Sequence, residues 1–100
     1  MVEGTRKIMK IVCSQLYETQ LKLILEEMSQ ENFQSAKNFK LYLDTIIINV
    51  PTKAKKYKKS TLLDDENVKD IEYDGYVIPF FLNLEENVYF ILGIVKKTSK

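Results

Sequence analysis

The chain has 100 residues and balances 15 Lys and Arg against 14 Asp and Glu, a net charge of +1, so it has room for one domain with one core and no global field that would favour nucleic acid or membrane. Its lack of histidine and its single cysteine exclude Ser-His-Asp and Cys-His catalysis, a zinc site and an internal disulfide. Any catalysis has to run on Lys, Arg6, Tyr, Asp or Glu.

No cofactor or metal is expected. No apolar run reaches the length of a signal core or a membrane span, which points to a soluble cytoplasmic protein without a membrane partner. Residues 1–8 are charged, carry Gly4 and show no periodicity, so they read as a loose leader to a domain spanning 9–97, with 98–100 as a tail. Met9 to Cys13 alternates, with Met9, Ile11 and Cys13 on one side and Lys10 and Val12 on the other, and predicts a short strand. Cys13 reads as a small buried hydrophobe and not a reactive thiol.

Ser14 is a good N-cap, and Tyr17, Leu21, Ile24 and Met28, widened by Leu25, predict an amphipathic helix from Gln15 to Ser29. After the break Gln30-Glu31-Asn32, a second stripe runs through Phe33, Ala36, Phe39 or Lys40, Leu43, Ile46 or Ile47 and Val50. Pro51 is expected to stop that helix. Two helices with so short a link form an antiparallel hairpin.

From Pro51 to Asp65 the periodicity fails, and a loop of about fifteen residues is long enough in a compact domain to be a candidate functional loop. It places Lys53, Lys55, Lys56, Lys58 and Lys59 around Tyr57, the one concentrated positive field in a nearly neutral chain. Asp64, Asp65 and Glu66 read as acids that balance those lysines and not as a metal site. Val68 to Tyr73 predicts a strand, and Asp74-Gly75 a tight hairpin turn into the next.

The densest apolar stretch runs from Tyr73 to Lys97. Tyr76, Ile78, Phe80, Leu82 and Leu84 alternate on one face of a strand, as do Val88, Phe90, Leu92 and Ile94 after the polar Glu85-Glu86-Asn87. Pro79 requires a non-bonded position or a bulge within its strand. Tyr57, Tyr73, Tyr76 and Tyr89 read as half-buried packing residues before base-stacking platforms. The expected fold is α+β, in the order β-α-α-β-β-β, with the helical hairpin packed on one face of a mostly antiparallel four-stranded sheet.

Several stretches together resemble the RelE/ParE superfamily of bacterial type II toxins: MKIVCSQLYETQLKLIL from Met9, Tyr57-Lys58-Lys59-Ser60, Val68-Lys69-Asp70-Ile71 leading to Gly75-Tyr76-Val77-Ile78-Pro79-Phe80, and Val88-Tyr89-Phe90-Ile91-Leu92-Gly93-Ile94. The resemblance covers nearly everything from Met9 to Lys97. It rests chiefly on the glycine-tyrosine strand and the Ile-Leu-Gly-Ile strand found together, and it implies that Pro79 is tolerated.

The resemblance implies a small growth-inhibiting protein neutralised by an antitoxin. Members similar to RelE cleave mRNA in the ribosome, with basic residues in the loop and on the sheet and a Tyr or His near the C-terminus. Members similar to ParE poison DNA gyrase and lack that set. Here Lys69 is the one basic residue in the last three predicted strands before Lys96, and the tail offers no Tyr, His or Arg. A phosphodiester transition state without histidine needs several convergent cations and a proton acceptor, so the expectation is a ParE-like toxin. The alternatives are a RelE-like, metal-independent endoribonuclease and a non-toxic antitoxin-binding module. Lys53, Lys55, Lys56, Tyr57, Lys58, Lys59, Lys69, Lys96 and Lys97 are the candidates for target binding, whether gyrase or ribosome and mRNA. Leu23 and Tyr42, on the helical hairpin, are the candidates for antitoxin binding.

Overall fold

A computed structural model describes residues 10–97; Met9, the leader 1–8 and the tail 98–100 lie outside the described residues. The chain runs through β1 (Lys10–Cys13), α1 (Gln15–Glu31), α2 (Phe33–Ile48), a single-turn α3 (Val50–Lys53), a 3₁₀ turn (Ala54–Lys56), β2 (Lys58–Lys59), β3 (Val68–Tyr73), β4 (Tyr76–Asn83), β5 (Val88–Ile91) and β6 (Val95–Lys96). The expected α+β order is present, and the four expected strands are joined by the two-residue β2 and β6. The sheet order is β1-β5-β4-β3-β2, with β6 also beside β4. The β1–β5 pair is parallel and the other pairs are antiparallel. Among the described residues no helix is long and apolar enough to cross a membrane.

Helix starts follow the capping chemistry. Ser14 Oγ accepts the Tyr17 N–H at 3.0 Å, and Asn32 Oδ1 accepts the Ser35 N–H at 3.0 Å, so Asn32 both ends α1 and caps α2. Tyr17 and Leu21 from α1 and Phe39, Leu43 and Ile47 from α2 meet Ile71, Ile78, Phe80, Tyr89, Ile91 and Ile94 from the sheet in one core. Phe39 packs on Tyr73 and Tyr76, with centroids at 5.0 and 5.5 Å, and the Tyr73 hydroxyl donates to the Phe39 carbonyl at 3.1 Å. Each fully buried aliphatic or aromatic side chain contributes roughly 1.5–3 kcal/mol relative to exposure.

Four expectations need correction. Pro51 does not stop a helix. α2 ends at Ile48, Asn49 makes the turn, and Pro51 occupies the first turn of α3, where its missing N–H has no helical partner to lose. The segment from Pro51 to Asp65 is consequently not one loop but α3, the 3₁₀ turn and β2 followed by a shorter connection. Phe33 and Leu84 belong to no buried stripe: Phe33 is 69% exposed, and Leu84, 75% exposed, lies past the end of β4.

The fourth correction concerns the phase of β5. The pair Asn83↔Val88 closes the β4–β5 turn over four residues, so even-numbered positions of β4 lie beside odd-numbered positions of β5. Tyr89 and Ile91 therefore face the core, while Phe90 stacks against Phe81 at 6.4 Å on the other side of the sheet. A shift of one residue moves every side chain to the opposite face. Ile94 regains the core because the chain leaves the ladder at Leu92 and Gly93.

That break also accommodates Pro79. Against β4, β5 pairs from Phe80 onward and β6 only at Tyr76 and Val77, so the position lacking an N–H falls in the gap between them, while the Pro79 carbonyl still accepts the Leu92 N–H at 2.9 Å. Helix α1 ties the gap shut. Ser14 Oγ donates to the Leu92 carbonyl at 2.8 Å, and Gln20 Oε1 accepts the Ile94 N–H at 2.9 Å. Asp74 and Gly75 turn β3 into β4 with φ of 50° and 85°, the left-handed pair of a type I′ hairpin.

Candidate functional site

The lysine-rich segment is anchored by its apolar members. Val50 is fully buried, and Ala54 and Tyr57 pack against the core. The Tyr57 ring meets Phe80 edge-on at 5.6 Å, and burial raises the pKa of its hydroxyl above the ordinary value. Lys53, Lys55, Lys56, Lys58 and Lys59 are all exposed around this anchor.

β2 fixes the register of the last two. Lys58 lies opposite Asp70 and Lys59 opposite Lys69, one attractive and one repulsive cross-strand pair. The Lys69 ammonium donates to the Ala54 carbonyl at 3.0 Å, which holds it against the first residue of the 3₁₀ turn. Asp70 Oδ2 accepts the Thr61 N–H at 3.0 Å, while Oδ1 is buried without a hydrogen-bond partner among the described residues. Lys56, Tyr57, Lys58, Lys59, Thr61, Asp70 and Glu72 line an open cleft of about 380 Å³ at this edge.

The connection that follows is held by its own side chains. Ser60, 6% exposed, accepts the N–H groups of Leu62 and Leu63 at 3.1 Å each through Oγ, and Asp65 Oδ1 accepts the Asn67 N–H at 2.8 Å. Asp65 and Glu66 thus sit in the turn that leads into β3, with Asp64 just before it. No group of three or more His, Cys, Asp or Glu that could hold a metal ion occurs among the described residues.

The remaining candidate cations sit elsewhere. Lys96 pairs with Tyr76 at the opposite end of β4, and Lys97 is ion-paired with Glu72 at 3.0 Å. With strands about 4.8 Å apart and residues rising about 3.3 Å, Lys96 and Lys59 are separated by roughly 20 Å along the sheet. Lys69, Lys96 and Lys97 are therefore not brought to one edge. The nine candidates for target binding divide into an exposed lysine ridge with Tyr57, a tethered Lys69 and a distant C-terminal pair.

On the helical hairpin, Leu23 and Tyr42 are each 61% exposed. Neither lines the two grooves of that hairpin. One groove, of about 560 Å³, runs over Leu21, Lys22, Leu25 and Lys40, and a more apolar one, of about 420 Å³, lies between Leu25 and Ser29 of α1 and Phe33, Lys37 and Leu41 of α2. This second groove escapes sequence reasoning because periodicity places Phe33 in the buried stripe. The signal was present in Phe33, Leu41 and Ile48, which repeat at intervals that keep one helix face.

Neither a family model nor a curated protein sequence matches the chain. Solved structures do. A chain of the chromosomal ParDE TA system from P. aeruginosa superposes with a TM-score of 0.73 at 12% identity, covering 90% of this chain and 97% of that one. The conserved hypothetical protein HP0892 from Helicobacter pylori gives a TM-score of 0.54 at 20% identity, covering 89% of this chain and 94% of that one. At these identities the likeness is one of fold, shared over nearly the full length of both chains.

Proposed function

We propose that this chain is the toxin of a type II toxin–antitoxin pair, neutralised by a cognate antitoxin, and that it acts in the cytoplasm in the ParE-like manner, by poisoning DNA gyrase. The observation that supports the toxin reading is the match in fold to a ParDE chain over nearly the full length of both. Support for the ParE-like side comes from the dispersal of the cations. Lys69 is tethered to the Ala54 carbonyl and Lys97 to Glu72, so neither joins Lys56, Lys58 and Lys59 at the open cleft of the β2 edge, and among the described residues the cations of the sheet and of the ridge do not converge on one phosphodiester.

The test is inducible expression in bacteria, with and without the neighbouring small reading frame, followed by two assays on the purified chain. The reading expects growth arrest that the neighbour relieves, loss of gyrase supercoiling with accumulation of cleaved DNA, and intact mRNA in a translation reaction. Ribosome-dependent mRNA cleavage would move the target to the RelE-like side. Unaffected growth would leave a non-toxic binding module.

A further inference from the structure

Helix α2 carries two apolar stripes. Ala36, Phe39, Leu43 and Ile47 are buried, whereas Phe33, Leu41 and Ile48 are 69%, 61% and 70% exposed. At about 100° per residue, Phe33, Lys37, Leu41, Asp44 and Ile48 fall within an arc of roughly 80° on one side of the helix. Phe33 and Leu41 form one wall of the apolar groove whose other wall is Leu25 and Ser29. An exposed apolar stripe bordered by a groove is a surface for a second helix.

Its pattern specifies which helix. Four of the five positions are symmetric about the peptide between Lys40 and Leu41, since Phe33 and Ile48 lie equally far on either side, and so do Lys37 and Asp44, while Leu41 falls beside the axis itself. We propose that this face joins two copies of the chain, α2 packing antiparallel on α2 across a two-fold axis at that peptide. The axis sets Phe33 against the second copy's Ile48 and Lys37 against the second copy's Asp44, each contact occurring twice, as an isologous interface requires. Asp44 already holds Lys40 at 2.7 Å on the surface and keeps lone pairs for a second cation, while Lys37 makes no ion pair among the described residues. A helix from an unrelated partner would have no reason to be matched by this internal symmetry. With three large apolar side chains from each copy the interface is at the small end of the specific range, so association in the micromolar range is expected.

The inference goes beyond the toxin reading and does not depend on it. It is tested by sedimentation of the full chain, purified without any partner, from low to several hundred micromolar. A reversible dimer is expected. Leu41→Asp, which sets two carboxylates face to face near the axis, should weaken it by at least about tenfold. Lys37→Asp and Asp44→Lys should each weaken it, and the double variant, which exchanges the charges, should recover dimer formation. Because all three positions are exposed, melting temperatures measured at monomeric concentration should stay near that of the parent. A chain that remains monomeric throughout, a dimer indifferent to Leu41→Asp, or a double variant no better than its single parents would each overturn the proposal. Loss of binding to a helical antitoxin in Leu41→Asp, with the free chain monomeric, would also overturn it and assign the face to that partner.

Discussion

Gly93 sits where the chain crosses from β5 to β6, and a Cβ there would lie 2.8 Å from Gln20 Oε1, the oxygen that accepts the Ile94 N–H. Gln20 is flexible enough to move aside, but moving breaks that hydrogen bond. Gly93→Ala should therefore cost about 1 kcal/mol, or roughly 4–8 °C in Tm. Combining it with Gln20→Ala should cost less than the sum of the two, because both remove the same bond; thermal melts of the three variants check this. Tyr17 behaves in the opposite sense. It is 2% exposed, its hydroxyl has no hydrogen-bond partner among the described residues, and burial, followed by the nearby Cys13, Asp44 and Glu18, raises its pKa far above the ordinary 10.0. Tyr17→Phe removes an unsatisfied polar group at nearly constant shape, so the melting temperature should hold or rise. A folded-state pKa above the unfolded value means that the native chain keeps the proton longer. The resulting stability is complete below pH 10 and is lost as the pH climbs through the alkaline range. Tyr17→Phe should flatten that loss in alkaline denaturation curves, leaving the smaller contributions of the other tyrosines with raised pKa values.

At the scale of elements, the lysine ridge makes a separable prediction. Its side chains are exposed and its anchors are Val50, Ala54 and Tyr57, so changing Lys55, Lys56, Lys58 and Lys59 together to Gln should leave the fold intact. If the ridge touches a polyanion, growth arrest should be lost and binding should weaken with salt at a log-log slope of about 0.9 per duplex phosphate contact. Growth arrest unchanged in the quadruple variant would mean the ridge only solubilises its edge. Lys69→Met belongs to another class, since it removes one of the two donors to the Ala54 carbonyl, which keeps only the Tyr57 N–H at 3.2 Å, and should cost up to about 1 kcal/mol in a thermal melt. What the sequence made legible follows the same division between local and long-range determinants. The start of helix α1, strand β3 and the Asp74-Gly75 turn depend on capping and periodicity within a few residues, and they stand where those signals put them. The phase of β5 depends on the length of one turn and on the break at Leu92 and Gly93, neither of which alternation reveals. Pro51 reads as a stop because a proline inside a helix and one in a first turn look alike until the turn at Asn49 is known. Of the candidate site, the cluster of lysines was visible in the sequence, whereas Asp70 facing Lys58, the tether on Lys69 and the second stripe of α2 required the register and the packing.

The whole molecule offers a partner more than one surface. The sheet ends on one side at β1 and on the other at the short, lysine-flanked β2, and the helical hairpin carries Leu23 and Tyr42 away from its grooves. Tyr42 follows Leu41 directly and is turned by about 100° from it, so an antitoxin on the Tyr42 flank and a second copy on the α2 stripe need not exclude each other. If the toxin reading holds, an amphipathic antitoxin segment that binds only the folded chain should stabilise it by about 2.7 kcal/mol at a concentration a hundredfold above its Kd. For a chain of this size that corresponds to a rise in melting temperature of roughly 10–20 °C. Leu23→Asp and Tyr42→Asp each place a charge on an exposed apolar position of the hairpin, and the free chain should tolerate both. Their effect should appear in titration with the segment, as a loss of affinity in at least one of the two and a matching loss of the thermal shift. Unchanged affinity in both variants would take the antitoxin off these flanks and leave the sheet edges, where the β1 edge is the one to block next because it lies clear of the lysine ridge.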